Sequence, residues 1–336
     1  MTLKLRQGSS AYDITVARGA LSRAGELFDL QRKVLVITGE GVPQQYAAAV
    51  LSQCPCGFLL TIPEGEENKT TATVELILKA LLQHGFTRGD AVVAVGGGVV
   101  GDTAGYAAAC YMRGIDWYNV PTTLLSAVDS SVGGKTGVNL LGVKNIVGAF
   151  HQPSGVLVDT ATLDTLSPRL FTEGLAEVVK MAATSDASLF ETLESCSDIR
   201  AVLPDIIASA LRIKIAVVEA DPTEHGLRAV LNFGHSIGHA IEAASAADFY
   251  HGEAVAIGML YLAEGDARER IEKLLKKFGL PTEDHFSTEK LLEYALHDKK
   301  TRGGKVKLVK VSEIGSFSFE EAGPEELRSI IQARKS

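Results

Sequence analysis

Cysteine, basic runs and long apolar stretches are all scarce in this chain, and each scarcity excludes something. Only four cysteines occur among 336 residues: Cys54, Cys56, Cys110 and Cys196. Cys54-Pro55-Cys56 is not a CxxC pair, and none of the four has zinc-ribbon spacing. They read as reduced thiols rather than as a disulfide framework. No stretch approaches ~20 uninterrupted apolar residues, so no membrane span is expected. Met1 to Arg6 holds no apolar signal core, which points to the cytoplasm. Lys and Arg number 33 against 41 Asp and Glu, a net charge of −8 without a long Lys/Arg run, so general nucleic-acid binding is not expected. Internal repeats and low-complexity segments are absent.

The remainder is ordinary globular composition, 46% hydrophobic and 22% charged, which excludes a disordered chain. The length suggests about two domains at roughly 150 residues each. The first half alternates strand-like and helix-like patterns. Lys33 to Ile37, Gly57 to Ile62, Asp90 to Val95, Trp117 to Val120 and Gly155 to Val158 are short apolar runs. Gln44 to Leu51 and Thr70 to Gln83 place apolar residues at helical spacing between them. Strands separated by helices imply parallel pairing through crossover helices. From about Thr172 the pattern is mainly helical, with a helix start at Thr172 to Leu175. Helical stretches follow near 186–195, 198–220, 236–247, 252–278, 287–297 and 324–334. Lys305 to Val309 and Ser316 to Phe319 are the only β-like runs there. The expectation is an α/β fold, with a parallel-sheet domain over residues 1–165 and a mainly helical domain over 166–336.

Glycine is in excess, 33 of 336 or about 10% against ~7% in average usage. Gly96-Gly97-Gly98-Val99-Val100-Gly101-Asp102 follows a predicted strand and opens a predicted helix. Glycines there let backbone N–H groups approach phosphate oxygens at a helix N-terminus. The motif belongs to the third apolar run, and no obvious ribose-binding acid follows about 20 residues on, so the arrangement departs from the common dinucleotide fingerprint. Ser131 to Thr136 imitates the tail of a P-loop, but Asp129 stands where that loop needs glycine and would repel phosphate. Lys135, Thr136, Asn139, Lys144 and Asn145 still form a segment dense in donors, with a solvated loop as the plain alternative.

Leu231 to Glu242 carries His235 and His239, four apart and so on one helix face, with Gly234 and Gly238 clearing space beside them. His251-Gly252-Glu253 opens the next helix. Three of the eight histidines within 17 residues suggest a metal site. No HExxH is present, so a zincin protease is not expected. Glu177 lies on an otherwise apolar helical segment and needs a partner if buried. Lys180 at i+3 is one choice and the histidine cluster the other.

These blocks resemble the 3-dehydroquinate synthases. Gly96 to Asp102, Tyr111 to Gly114, Pro121 to Leu125, Val128 to Asn139, Lys144-Asn145, Gly174 to Lys180, Asp221 to Ala240, His251 to Glu253 and Asp298 to Lys300 occur in the order seen in that family. The resemblance spans nearly the whole chain. It implies a Rossmann-like NAD-binding domain followed by a helical metal-binding domain, with NAD+ and Zn2+ (or Co2+) as cofactors, and a homodimer. It implies conversion of 3-deoxy-D-arabino-heptulosonate 7-phosphate to 3-dehydroquinate and phosphate, a step of the shikimate pathway. The chemistry is transient oxidation by NAD+, phosphate elimination, reduction and intramolecular aldol closure.

By matching position, the resemblance makes Glu177, His235 and His251 the metal ligands and moves His239 towards the phosphate. Lys135, Asn145 and His239 match phosphate contacts, and Arg113 matches one that reaches across to the neighbouring subunit. Lys180, Lys214, Arg228 and Asn232 match positions around the substrate carboxylate and hydroxyls, Asp129 one near the reacting hydroxyls. Lys299 or Lys300 would close over the phosphate. Glu66, Lys69, Gly97, Gly98, Asp102, Thr122, Thr123, Lys135, Lys144, Thr165 and Leu166 match the NAD side. One departure stands out: the family's usual acid after the first nucleotide-domain strand is replaced at Thr38-Gly39-Glu40 by glycine. Weaker NAD+ binding is expected, because a lost charge-assisted hydrogen bond costs about 1.5–3 kcal/mol. The competing readings are a related cyclase acting on sedoheptulose 7-phosphate or glucose 6-phosphate, a metal-dependent polyol dehydrogenase, and a binding protein with a vestigial site.

Overall fold

The computed structural model describes residues 1–8, 10–245, 248–297, 301–302 and 305–335. The chain forms two compact units, Met1–Ser167 and Pro168–Ser336.

The first unit contains β1 (Thr2–Gln7), β2 (Ser10–Ala17), α1 (Ala24–Leu27), β3 (Lys33–Gly39), α2 (Gln44–Leu51), β4 (Cys56–Ile62) and α3 (Thr71–Gln83). It continues with β5 (Ala91–Gly96), α4 (Gly98–Cys110), β6 (Asp116–Pro121), β7 (Lys135–Leu140), β8 (Val143–Phe150) and β9 (Gly155–Asp159). Seven strands form one sheet in the order β1-β2-β9-β6-β5-β3-β4, parallel except for the antiparallel edge strand β1. Apolar residues occur on both faces of the central strands. Leu35 and Ile37 of β3 join the core beneath α3 and α4, while Val34 and Val36 join the opposite core with Tyr46 and Val50 of α2. Continuous burial on both faces is why these strands read as unbroken apolar runs.

The chain passes from β3 outward to β4 and then returns to β5 on the other side of β3. The order therefore reverses between β3 and β5, and ligands of such sheets bind at the carboxyl ends of the strands there. Those ends are Gly39 and Gly96.

Two parts of this unit differ from expectation. The donor-dense segment from Lys135 to Asn145 is no loop: it lies largely in the antiparallel hairpin β7–β8. Its glycines permit the pairing, since a Cβ on Gly148 would stand 2.2 Å from the Thr136 carbonyl oxygen. The strands β1 and β2 were not expected. Their exposed and buried residues mix, as suits the rim of a sheet.

The second unit holds α5 (Pro168–Ser185), α6 (Ala187–Ser195), α7 (Leu203–Ala220), α8 (His235–Ala244), α9 (His251–Leu262), α10 (Gly265–Lys277) and α11 (Thr288–His297). A three-stranded antiparallel sheet of β10 (Thr301–Arg302), β11 (Lys305–Lys310) and β12 (Ser318–Ala322), and then α12 (Pro324–Lys335), complete it. α9 is buried from Ala254 to Leu262 and α5 from Gly174 to Thr184, so both are core helices of this unit. The helix expected to open at Thr172 begins at Pro168, where proline suits a first-turn position. α7 begins at Leu203 rather than near 198, with Pro204 in its first turn. The expected 252–278 helix is broken. Ala263 is extended, pairs in a parallel bridge with Val311, and is followed by Gly265 at φ +54°.

Candidate functional site

The second unit gathers the three histidines. One ligand nitrogen from each of His235, His239 and His251 lies within 4.8 Å of the others. α8 and α9 come this close because glycines line their contact. A Cβ on Gly258 would stand 2.1 Å from the Gly234 carbonyl oxygen, and one on Gly238 would stand 3.0 Å from that of Ala254. Gly234 and Gly238 thus clear space for the backbone of α9, not for the histidine rings as the spacing suggested.

Glu177 reaches the same place from α5. The sequence left two partners open, and the carboxylate divides between them. Oε2 accepts a hydrogen bond from Lys180 Nζ. Oε1 accepts none, although the side chain is 1% exposed. It faces His235 Nε2 at 3.6 Å and His251 Nε2 at 3.7 Å, too long for hydrogen bonds. Ligands about 2.0–2.2 Å from a tetrahedral ion are themselves about 3.3–3.6 Å apart, so spacings of 3.6 and 3.7 Å leave room for an ion between Glu177 Oε1 and each imidazole nitrogen. An orphaned buried carboxylate oxygen is costly unless something cationic meets it.

The far sides of both rings are held as metal-binding imidazoles require. His251 Nδ1 lies 3.1 Å from Glu242 Oε2, and His235 Nδ1 lies 3.2 Å from the Phe233 carbonyl oxygen. An N–H donated at each Nδ1 leaves the Nε2 lone pair facing Glu177. Burial lowers the pKa of His251, but Glu242 and Glu177 outweigh it and raise the value above the ordinary one. Burial also pushes Glu173, one turn before Glu177, up to about 7. Glu242 was not assigned a role from the sequence. Its position three residues beyond His239, one turn along the same helix, was the available signal.

Three cations expected around the substrate are buried in this unit: Lys180 (1% exposed), Lys214 (4%) and Arg228 (2%). Arg228 and Asn232 lie in a 3-10 segment, Leu227–Asn232, whose entry is folded around Asp221. Asp221 accepts backbone N–H groups from His225 (2.9 Å), Gly226 (2.7 Å) and Arg228 (2.9 Å). These hydrogen bonds, that of Arg228 foremost, hold its pKa down at about 2. Asn232 Nδ2 donates to Glu224 Oε1 at 3.0 Å. Lys299 and Lys300 lie outside the described residues.

In the first unit the glycine turn sits where the strand order reverses. Gly97 precedes α4 and Gly98 begins it. A Cβ on Gly97 would stand 3.0 Å from Thr123 Cγ2, and one on Gly98 would stand 3.3 Å from Ser130 Oγ. The Thr122 N–H donates to the Gly96 carbonyl at 2.9 Å, and Thr123 Oγ1 accepts the Ser126 N–H at 3.2 Å. Gly39 ends β3 beside this turn, and a Cβ there would meet Val100 Cγ2 at 3.3 Å.

Lys69 is the polar hub of this unit. It is 4% exposed and donates to Asp102 Oδ2 and Asn145 Oδ1, both at 2.6 Å. The Asn145 N–H donates to Asn139 Oδ1 at 2.8 Å, and Asn139 Nδ2 donates to Glu66 Oε1 at 2.9 Å. Asn145, matched to the phosphate, is thus joined to Lys69, Asp102 and Glu66, matched to NAD. Glu66, Asn139 and Lys144 line a cavity of about 310 Å³. Lys135 opens β7, and Asp129 lies in the helical turn Ser126–Ser130. Thr165 Oγ1 lies 3.0 Å from the Tyr46 hydroxyl, and the Leu166 N–H donates to the Leu163 carbonyl. Arg113 follows Met112 in a left-handed turn, with φ of 69° and 48°. Arg88 Nε and Nη2 hold this turn through the Met112 carbonyl at 3.0 and 2.9 Å.

Two family models match consecutive stretches: 3-dehydroquinate synthase N-terminal over residues 59–173, and 3-dehydroquinate synthase C-terminal over residues 174–301. A 3-dehydroquinate synthase of Enterococcus faecalis (strain ATCC 47077 / OG1RF) is 42% identical over 353 aligned positions, covering 98% of each chain. Among solved structures, 2-deoxy-scyllo-inosose synthase complexed with carbaglucose-6-phosphate, NAD+ and Co2+ superposes with a TM-score of 0.90 at 27% identity, covering 99% of each chain. The 2-epi-5-epi-valiolone synthase of Streptomyces hygroscopicus subsp. jinggangensis 5008, with NAD+ and Zn2+ bound, gives 0.87 at 27% identity over 98% of each chain.

Proposed function

The chain belongs to the 3-dehydroquinate synthase family, and from that premise we propose how its residues divide the work. The activity is conversion of 3-deoxy-D-arabino-heptulosonate 7-phosphate to 3-dehydroquinate and phosphate, a lyase reaction of the shikimate pathway. When bound, NAD+ supplies an acceptor that takes up and returns a hydride, and zinc or cobalt supplies Lewis acidity towards the substrate hydroxyls.

Glu177, His235 and His251 hold the metal. The single observation that carries this reading is the Glu177 carboxylate, with one oxygen bonded to Lys180 and the other buried before two imidazole nitrogens. Lys180 aims that carboxylate through its hydrogen bond to Oε2. Lys180, Lys214, Arg228 and Asn232 bind the substrate carboxylate and hydroxyls, and Asp129 orients the reacting hydroxyls. Lys135, Asn145, His239 and Lys299 bind the phosphate, with Arg113 serving the neighbouring protomer of a homodimer. Glu66, Lys69, Gly97, Gly98, Asp102, Thr122, Thr123, Lys144, Thr165 and Leu166 seat NAD+. Fixed cations in a dry site stabilise developing charge without reorganisation. The enzyme works in the cytoplasm.

A related cyclase acting on sedoheptulose 7-phosphate or glucose 6-phosphate is the second reading. The Lys214/Arg228 pair, buried at positions matched to the substrate carboxylate, favours the heptulosonate, which alone of the three substrates carries that group. The test is phosphate release from each of the three substrates, supplied separately with zinc and NAD+. Release from the heptulosonate alone supports the first reading, and release from either other sugar phosphate alone supports the second.

A further inference from the structure

Arg169, Glu173 and Glu177 lie at i, i+4 and i+8 along one face of α5. Each meets a different residue in the first turn of α9. Arg169 Nε and Nη2 donate to Oε1 and Oε2 of Glu253, both at 2.7 Å. Gly252 rides on the backbone of Glu173, where a Cβ would come within 2.1 Å of the carbonyl oxygen. Glu177 Oε1 faces His251 Nε2. Three successive turns of α5 thus set the register of the α9 terminus that carries His251.

Arg169 ties down the chain on both sides of that histidine. Its Nη2 also donates to the Asp248 carbonyl at 2.6 Å, and its guanidinium lies 3.9 Å from the centroid of the Tyr250 ring. Glu253 Oε2 in turn accepts the Tyr250 N–H at 2.8 Å. As a stability device alone this arrangement is weak, since the Arg169 side chain is 47% exposed and exposed ion pairs contribute little. Its geometry is nevertheless a two-pronged fork, the strong and directional form of a carboxylate contact. Metal ligation is sensitive to displacements of ~0.2 Å, so what such a brace controls is ligand placement.

We propose that Arg169 is a positioning residue of the metal centre, holding His251 opposite Glu177 through its fork on Glu253 and its stack on Tyr250. This inference rests on the metal reading above.

The test compares the full chain with Arg169→Ala, Arg169→Lys, Glu253→Gln, the Arg169→Ala/Glu253→Gln double variant and Glu177→Gln. The readout is the zinc dissociation constant from competition with a chromophoric chelator, with thermal unfolding of the metal-free proteins alongside. Arg169→Ala is expected to weaken zinc about 10–100-fold, the range for loss of a partner that orients a ligand. Arg169→Lys recovers only part of this, because an ammonium cannot make the fork. The double variant loses less than the sum of the two single losses, because both changes break the shared fork. Saturating zinc returns kcat towards the parent value while the substrate KM is unchanged, a response that general destabilisation does not give. If Arg169→Ala does not fold, Glu253→Gln, which keeps the side-chain volume, is judged by the same criterion. Zinc affinity within twofold of the parent in Arg169→Ala or Glu253→Gln, or additive losses in the double variant, overturns the proposal. If Glu177→Gln loses zinc while Arg169→Ala keeps it, only the positioning role falls. If Glu177→Gln keeps parent affinity, the ligand assignment falls and the proposal with it.

Discussion

Replacing Glu177 by Gln removes one negative charge and almost no volume, at a side chain that is 1% exposed. The amide oxygen can still accept from Lys180, so the local hydrogen bond survives. The carboxylate oxygen that faces His235 and His251 at 3.6 and 3.7 Å does not. Apparent zinc binding to structural sites is worth about 10–16 kcal/mol. Shared among three protein ligands, that assigns about 3–5 kcal/mol to each, or about 10²- to 10⁴-fold in affinity. Lys180 is left as a buried cation facing a neutral amide, a loss of about 3–5 kcal/mol where nothing relaxes. The assay is zinc content after dialysis, a chelator-competition dissociation constant, and the circular dichroism of the metal-free protein. The expected result is a zinc affinity at least 100-fold weaker with the helical signal retained. Affinity within threefold of the parent would refute the ligand assignment and make the three-histidine set the centre instead.

His235→Ala should likewise lose metal and activity with the fold retained, and retained metal at full activity would contradict it. Gly258→Ala places a methyl 2.1 Å from the Gly234 carbonyl oxygen, so it should cost about 1–3 kcal/mol in denaturant unfolding and weaken zinc binding. Parent-like stability would show that α8 and α9 can part without loss. Asp221 has a folded pKa of about 2, below the ordinary ~3.9, so its contribution is present above pH ~4 and fades as pH falls towards 2. Asp221→Ala should therefore be less stable by about 1.5–3 kcal/mol at neutral pH, with the gap closing in acid; a gap independent of pH would refute the carboxylate's role. NAD+ should bind the free enzyme with a dissociation constant no tighter than micromolar, given Gly39 at the end of β3. A submicromolar value by fluorescence titration, or Glu40 found on the ribose, would contradict this.

The nucleotide unit was legible because its central strands are buried on both faces. Lys33 to Ile37 and Asp90 to Val95 have no polar alternation to confuse with a helix, and glycines bound them. β7 and β8 were hidden because their pairing depends on Gly137 and Gly148, residues that read as loop. The break between α9 and α10 was hidden because Ala263 leaves the helix to pair with Val311, a contact no local pattern records. The histidine cluster was legible from spacing. The division of Glu177 between Lys180 and the histidines was not, since it depends on which carboxylate oxygen faces which partner. Arg169 and Glu253 stand 84 residues apart and meet only once α5 and α9 pack.

The most direct test of the function is one reaction followed at two signals. The protein is supplied with zinc, NAD+ and 3-deoxy-D-arabino-heptulosonate 7-phosphate, and phosphate and reduced nicotinamide are read together. The account predicts phosphate and 3-dehydroquinate in equal amounts over many turnovers, with no reduced nicotinamide accumulating, because the hydride is returned. Reduced nicotinamide growing in step with substrate consumed, with the phosphate still attached, would contradict it and mark the chain as a dehydrogenase.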